Sequence, residues 1–119
     1  MEQQTVEKLY EAGIQVEQAR ERLLNNDPLL ERFLKKFLED GSYGALCTAL
    51  EHSDWEGALR ASHALKGLTA NLAMNELSEL CAQQVQCLRA GDHLGAQQLQ
   101  EPLAEAYQRV AAAIREKLG

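Results

Sequence analysis

At 119 residues the chain fits one domain, 1–119, with a modest core. Its net charge of −6 and lack of any basic stripe set aside nucleic acid and anionic membrane surfaces as partners. No apolar run approaches the ~20 residues of a membrane helix. Cys47, Cys81 and Cys87 form no CxxC pair and no zinc-spaced cluster, so free thiols and no metal centre are expected. Ala, Leu, Glu and Gln dominate and no alternating β-branched run occurs, which marks an all-α composition. The polar start Met1-Glu2-Gln3-Gln4 lacks the regions of a secretory signal, and a cytoplasmic location is expected.

In chain order, Thr5 to Glu11 reads as a short helix ending near Gly13. Ile14-Gln15-Val16 is a short extended connector that tucks Ile14 against the rest. A helix follows to about Leu24. Asp27-Pro28 is a start signal, with Asp as cap and Pro in the first turn. Leu29, Leu30, Phe33, Leu34, Phe37 and Leu38 then form an inward face. Gly41 and Gly44 predict a kink or short break, since each costs about 1 kcal/mol against Ala inside a helix. Helix resumes through Leu46, Ala49 and Leu50. Asp54 caps the next helix, which runs from Trp55 to about Ala73. Asn75 is expected to cap a helix to about Arg89 with Leu77, Leu80, Cys81, Val85 and Leu88 inward, stopped by Gly91. The last helix runs from about Leu94 to Leu118, kinked or split by Pro102. Short turns between long amphipathic helices imply an antiparallel up-down four-helix bundle with additional short N-terminal helices.

Ser62-His63-Ala64-Leu65-Lys66-Gly67-Leu68 lies mid-helix. Positions three and four apart are neighbours on a helix surface, so Lys66 and Gly67 lie one turn beyond His63. Ala58, Ser62, Leu65, Leu68, Thr69 and Leu72 form the inward stripe. Leu65 is about 200° from His63, which leaves the imidazole facing solvent. An exposed histidine on a helix is ordinary surface in most proteins. Gly67 is less ordinary: a solvent-facing glycine costs about 1 kcal/mol against Ala and calls for a steric reason, with close helix packing the plain alternative. His52 and His93 read as surface residues near turns, Cys81 as core and Trp55 as a packing anchor.

His63, Lys66 and Gly67, followed by Leu72-Ala73, Leu77 and Cys81 at set distances and preceded by Asp54-Trp55, resemble the histidine-containing phosphotransfer domains of bacterial phosphorelays. The resemblance spans about Ile14 to Leu118. The chain departs from it at Ala73, where the family usually has glycine; on a helical backbone the change should matter little. Many members also place a glutamine or glutamate on the next helix to support the phosphoryl group. That position falls on Val85 here, with Gln83, Gln84 and Gln86 beside it.

The resemblance implies a shuttle. His63 takes a phosphoryl group from a receiver-domain aspartate and passes it to another receiver domain, the donor or acceptor being a response regulator or a hybrid sensor histidine kinase. An imidazole in water titrates near about 6.5 and is mostly neutral and nucleophilic at pH 7. Lys66 would balance phosphoryl charge as a point cation, and Gly67 would leave clearance. Leu59, Ala70, Asn71, Gln83 and Gln84 are the candidate partner-binding residues. No cofactor is expected on this chain, Mg²⁺ belonging to the receiver. No P-loop or kinase glycine loop occurs, so no ATP-dependent kinase activity is expected and the chain is a covalent carrier rather than an enzyme with its own turnover. One alternative is a non-catalytic helical adaptor using the same face. Another is an excised piece of a sensor kinase, against which the Met1 start and Leu118-Gly119 end favour a standalone protein. A monomer is expected, since one bundle accounts for the apolar residues.

Overall fold

Strong helix formers at three- and four-residue spacing fold as seven helices in the computed structural model, which describes residues 1–119. They are α1 Gln3–Glu11, α2 Val16–Arg22, α3 Asp27–Phe37, α4 Ser42–Glu51, α5 Trp55–Asn71, α6 Asn75–Arg89 and α7 His93–Leu118. The last four form the antiparallel up-down bundle. Ser62 Oγ meets Gln84 while Ser78 Oγ meets the carbonyl of Lys66, so α6 runs against α5. Gln84 Nε2 reaches the Ala96 carbonyl and Arg109 pairs with Glu76, so α7 runs against α6. Tyr43 stacks on Tyr107 while Gln97 donates to the Leu50 carbonyl, so α4 closes the ring against α7. At 1.5 Å per residue the 26-residue α7 spans about 39 Å and sets the 44 Å long axis.

Helices α1 to α3 cover one end and flank of this bundle. The connector after α1 buries Ile14 completely, as expected, and the Gln15 amide donates to the Ala73 carbonyl at 2.9 Å. Asp27 accepts from Arg20 and from the Met1 ammonium, which ties α1, α2 and α3 together. These partners hold the Asp27 carboxyl below its ordinary range, Arg20 first. The cap of α3 is therefore Asn26, which accepts from the Leu29 amide, rather than Asp27. Leu30, Leu34 and Phe37 are buried as expected, but Phe33 is 36% exposed, because α3 packs a narrower stripe than its apolar content suggests. Of the two glycines only Gly41 falls in a break: α3 ends at Phe37 and α4 starts at Ser42, with Gly44 inside α4. Pro102, exposed to water, does not split α7.

Five of the helices stop in the same way. The residue after the cap turns left-handed, and two amides fold back onto carbonyls of the last turn. For α5 these are Met74 N–H to Thr69 and Ala73 N–H to Ala70. The left-handed positions are Gly13, Leu24, Ser53, Ala73 and Gly91. Ala73, at φ +56° and fully buried, is thus not on right-handed helical backbone. A glycine suits that site because only glycine meets no Cβ penalty there. Met74 rather than Asn75 precedes α6, and Asn75 donates to Gln18 instead of capping.

Helices α5 and α7 begin side by side with matching caps. Asp54 accepts from Gly57 N–H and Asp92 from Gly95 N–H. Trp55 and His93 stack between them, ring centroids 4.1 Å apart. His93 is therefore a packing partner of Trp55, not simply a surface residue.

Candidate functional site

Seventeen-residue α5 presents its midpoint to water because its inward stripe is on the opposite side. Ala58, Ala61, Ser62, Leu65 and Thr69 are buried, while His63, Ala64, Gly67, Ala70 and Asn71 are exposed. His63 lies in a shallow open depression with Leu59, Arg60, Ala64 and Arg89. A Cβ built on Gly67 would meet no atom within 4 Å. Close helix packing within the chain therefore does not explain this glycine; the space beside His63 is open. Lys66 is half-buried on the α6 side, and its carbonyl accepts from Thr69 and Ser78 hydroxyls.

Beneath His63 the wall is braced by a buried polar chain. Ser62 Oγ donates to Gln84 Oε1 at 2.9 Å. Gln84 Nε2 donates to the Ala96 carbonyl at 3.0 Å and to Gln100 Oε1 at 3.1 Å. Gln100 Nε2 then reaches Cys47 Sγ at 3.5 Å. Four helices are linked in this way, through the residue adjacent to His63. Gln84 is completely buried and has no surface to offer a partner, so it leaves the docking face for the core. Its side chain turns inward because α7 supplies acceptors there and leaving it unpaired would cost about 1–3 kcal/mol. Gln83 is exposed on α6 but does not line the depression. Val85 is buried.

The remaining sequence candidates divide between two places. Leu59, half-buried, shares the depression with His63. Ala70 and Asn71 lie about 10 and 12 Å further along the helix axis. Asn71 edges an apolar cleft with Leu23, Phe33, Phe37, Leu68 and Leu72, whose rim carries Arg22 and Lys36. The Ala70 carbonyl accepts from the Arg22 guanidinium. A wider open groove between α4 and α5, floored by Gly41, Gly44, Ala45 and Ala49, meets the His63 depression at Arg60.

Two residues at the site were not singled out from sequence. Arg60 stands three before His63, the mirror of the Lys66 spacing, and was legible. Arg89 comes from the end of α6, and only the antiparallel register places it there; helical side chains lean toward the helix N-terminus, which carries Arg89 back along α5 toward His63. The chain's ion pairs are Met1–Asp27, Arg20–Glu17, Arg20–Asp27, Arg109–Glu76 and Lys117–Glu116. Arg60, Lys66 and Arg89 are thus unpaired. They are also all the cations of α5 and α6, gathered at one histidine in a chain of net charge −6.

Two of the thiols are disfavoured as nucleophiles. Burial pushes Cys81 up to about 12, and burial together with the Asp92 carboxylate raises Cys87. No group of three or more His, Cys, Asp or Glu side chains is arranged to hold a metal, and no helix is long and apolar enough to cross a membrane.

No curated protein and no solved structure matches the chain significantly. The family model of the Hpt domain matches residues 17–113, from α2 to within α7. A bundle with its histidine turned outward, matched over most of its length, places the chain in the Hpt domain family.

Proposed function

We propose that His63 is the phosphoryl carrier of a phosphorelay, accepting from the aspartyl phosphate of one receiver domain and donating to the aspartate of another. Membership of the Hpt family makes histidine phosphotransfer the role of the chain; the site residues and their parts are our reading. The observation that carries it is an exposed imidazole flanked by unpaired cations and by a glycine with open space over it.

In the forward step an unprotonated ring nitrogen of His63 attacks phosphorus in line. The N–P bond forms as the aspartyl O–P bond breaks, the carboxylate leaves as an anion, and the proton on the other ring nitrogen passes to water. Such transfer asks chiefly for positioning and charge neutralisation. Lys66 supplies a point charge beside the transferring oxygens. Gly67 gives the receiver's loops room above α5. Mg²⁺ and an acidic cluster are expected on the receiver, so this chain needs no cofactor and has no kinase activity of its own. Leu59 offers an apolar contact within the His63 depression, and Ala70, Asn71 and Gln83 are the outer contacts of the docking face. The chain acts as a monomer in the cytoplasm, with response-regulator receivers or a hybrid sensor kinase as partners.

Incubation with a phosphorylated receiver domain tests the reading. Acid-labile, base-stable phosphate should appear on the wild-type chain and not on His63→Gln. An adaptor would bind equally well as His63→Gln and take no phosphate in either form.

A further inference from the structure

We propose that Arg89, reaching across from α6, is the group that holds the phosphoryl oxygens on His63, with Arg60 on the other flank. This rests on the carrier reading above.

The α6 wall has three glutamines near the level of His63, and none takes this part. Gln84 is buried and fully engaged with Ser62, Ala96 and Gln100. Gln83 and Gln86 are exposed but neither lines the depression, and Val85 is buried. Arg89 does line it, and it is the one α6 side chain that does. It is exposed, in no ion pair, and at the last residue of its helix, where a cation also suits the negative end of the dipole. Arg60 enters the same depression from α5, again unpaired. A guanidinium presents parallel N–H donors that match two phosphoryl oxygens at once. Two such groups at an imidazole, with no carboxylate in the depression, form a receptacle for a dianion. Lys66, half-buried one turn further along α5, does not line this depression. The division of labour is then a point charge from Lys66 and a directional grip from Arg89.

The test is the equilibrium constant for phosphoryl exchange with a receiver, measured at concentrations too low for the complex to accumulate. At that dilution the constant compares free phosphorylated and unphosphorylated chains and does not depend on docking. Arg89→Gln should shift it about two- to fivefold toward the receiver, the range of an exposed ion pair. Arg89→Lys should recover part of the shift. The difference should shrink toward zero at about 1 M salt, where the screening length is about 3 Å; a merely structural contribution would not be screened away. In parallel, the chain phosphorylated chemically with phosphoramidate should show a displaced ³¹P resonance in Arg89→Gln, an assay that needs no receiver. An unchanged constant and an unchanged resonance in Arg89→Gln, with His63→Gln unlabelled, overturn the role of Arg89 and leave the carrier reading standing. Label persisting on His63→Gln overturns both.

Discussion

Gln84→Met separates bracing from docking. The substitution keeps the approximate volume but removes the hydrogen bonds to Ser62, the Ala96 carbonyl and Gln100. A typical buried hydrogen bond contributes about 0.5–1.5 kcal/mol net. Three lost bonds, partly offset by the more apolar side chain, give a destabilisation of about 2–3 kcal/mol. That is a large share of the 5–15 kcal/mol typical of a domain, and corresponds to a fall in Tm of roughly 10 °C. Urea titration followed by circular dichroism measures it, with the midpoint falling at constant slope. Gln83→Met, on the exposed neighbour, should stay within about 0.5 kcal/mol of wild type. Phosphoryl transfer at low temperature, where Gln84→Met is still folded, should be retained. Transfer lost from a variant of undiminished stability would refute the reasoning, since it would mean that Gln84 meets the partner.

Four further outcomes are expected. Gly67→Gln should fold more stably by about 0.5–1 kcal/mol, since the site is helical and open, yet transfer phosphate at least about tenfold more slowly; normal transfer would remove the clearance argument. Leu24→Gly should raise stability by about 0.5–1 kcal/mol. The left-handed strain of about 1–2 kcal/mol is relieved, less about 0.4–1 for the freer unfolded chain, and a 90% exposed side chain loses no packing. Ala73→Gly, at the same backbone conformation but with a buried methyl worth about 0.8 kcal/mol, should come out near neutral in the same urea assay. Asp27→Asn should be less stable than wild type at pH 7. The wild-type advantage is fully present above the ordinary carboxylate value near 3.8 and is lost as pH falls through the depressed folded value, so the two stability curves should converge in acid; a gap that persists at the lowest pH would contradict the ion-pair origin.

Much of this arrangement was legible from residue order, for reasons that also mark the limits. His63 could be placed outward because Leu65, Ser62 and Thr69 fix the inward side of the same helix, which is local information. The bundle followed from helix length and short turns. Gln84 was not legible: three glutamines in four positions look alike, and only the register against α7, with its Ala96 carbonyl and Gln100, chooses the buried one. Arg89 was missed for the same reason, its nearness to His63 being tertiary. At Ala73 the glycine preference of the family was visible, but its cause needed the left-handed turn after α5. Asn26 and Asp27 are both good caps, and the Arg20 and Met1 partners decide between them.

The most direct measurement is a chase. The chain, loaded with phosphate on His63 and freed of its donor, is mixed with an unphosphorylated receiver domain and Mg²⁺. Label should leave the chain and appear on the receiver's aspartate, faster than it is lost to water from the chain alone. Phosphate that stays on the chain, or falls to solvent at the same rate with and without any cognate receiver, would contradict the carrier role.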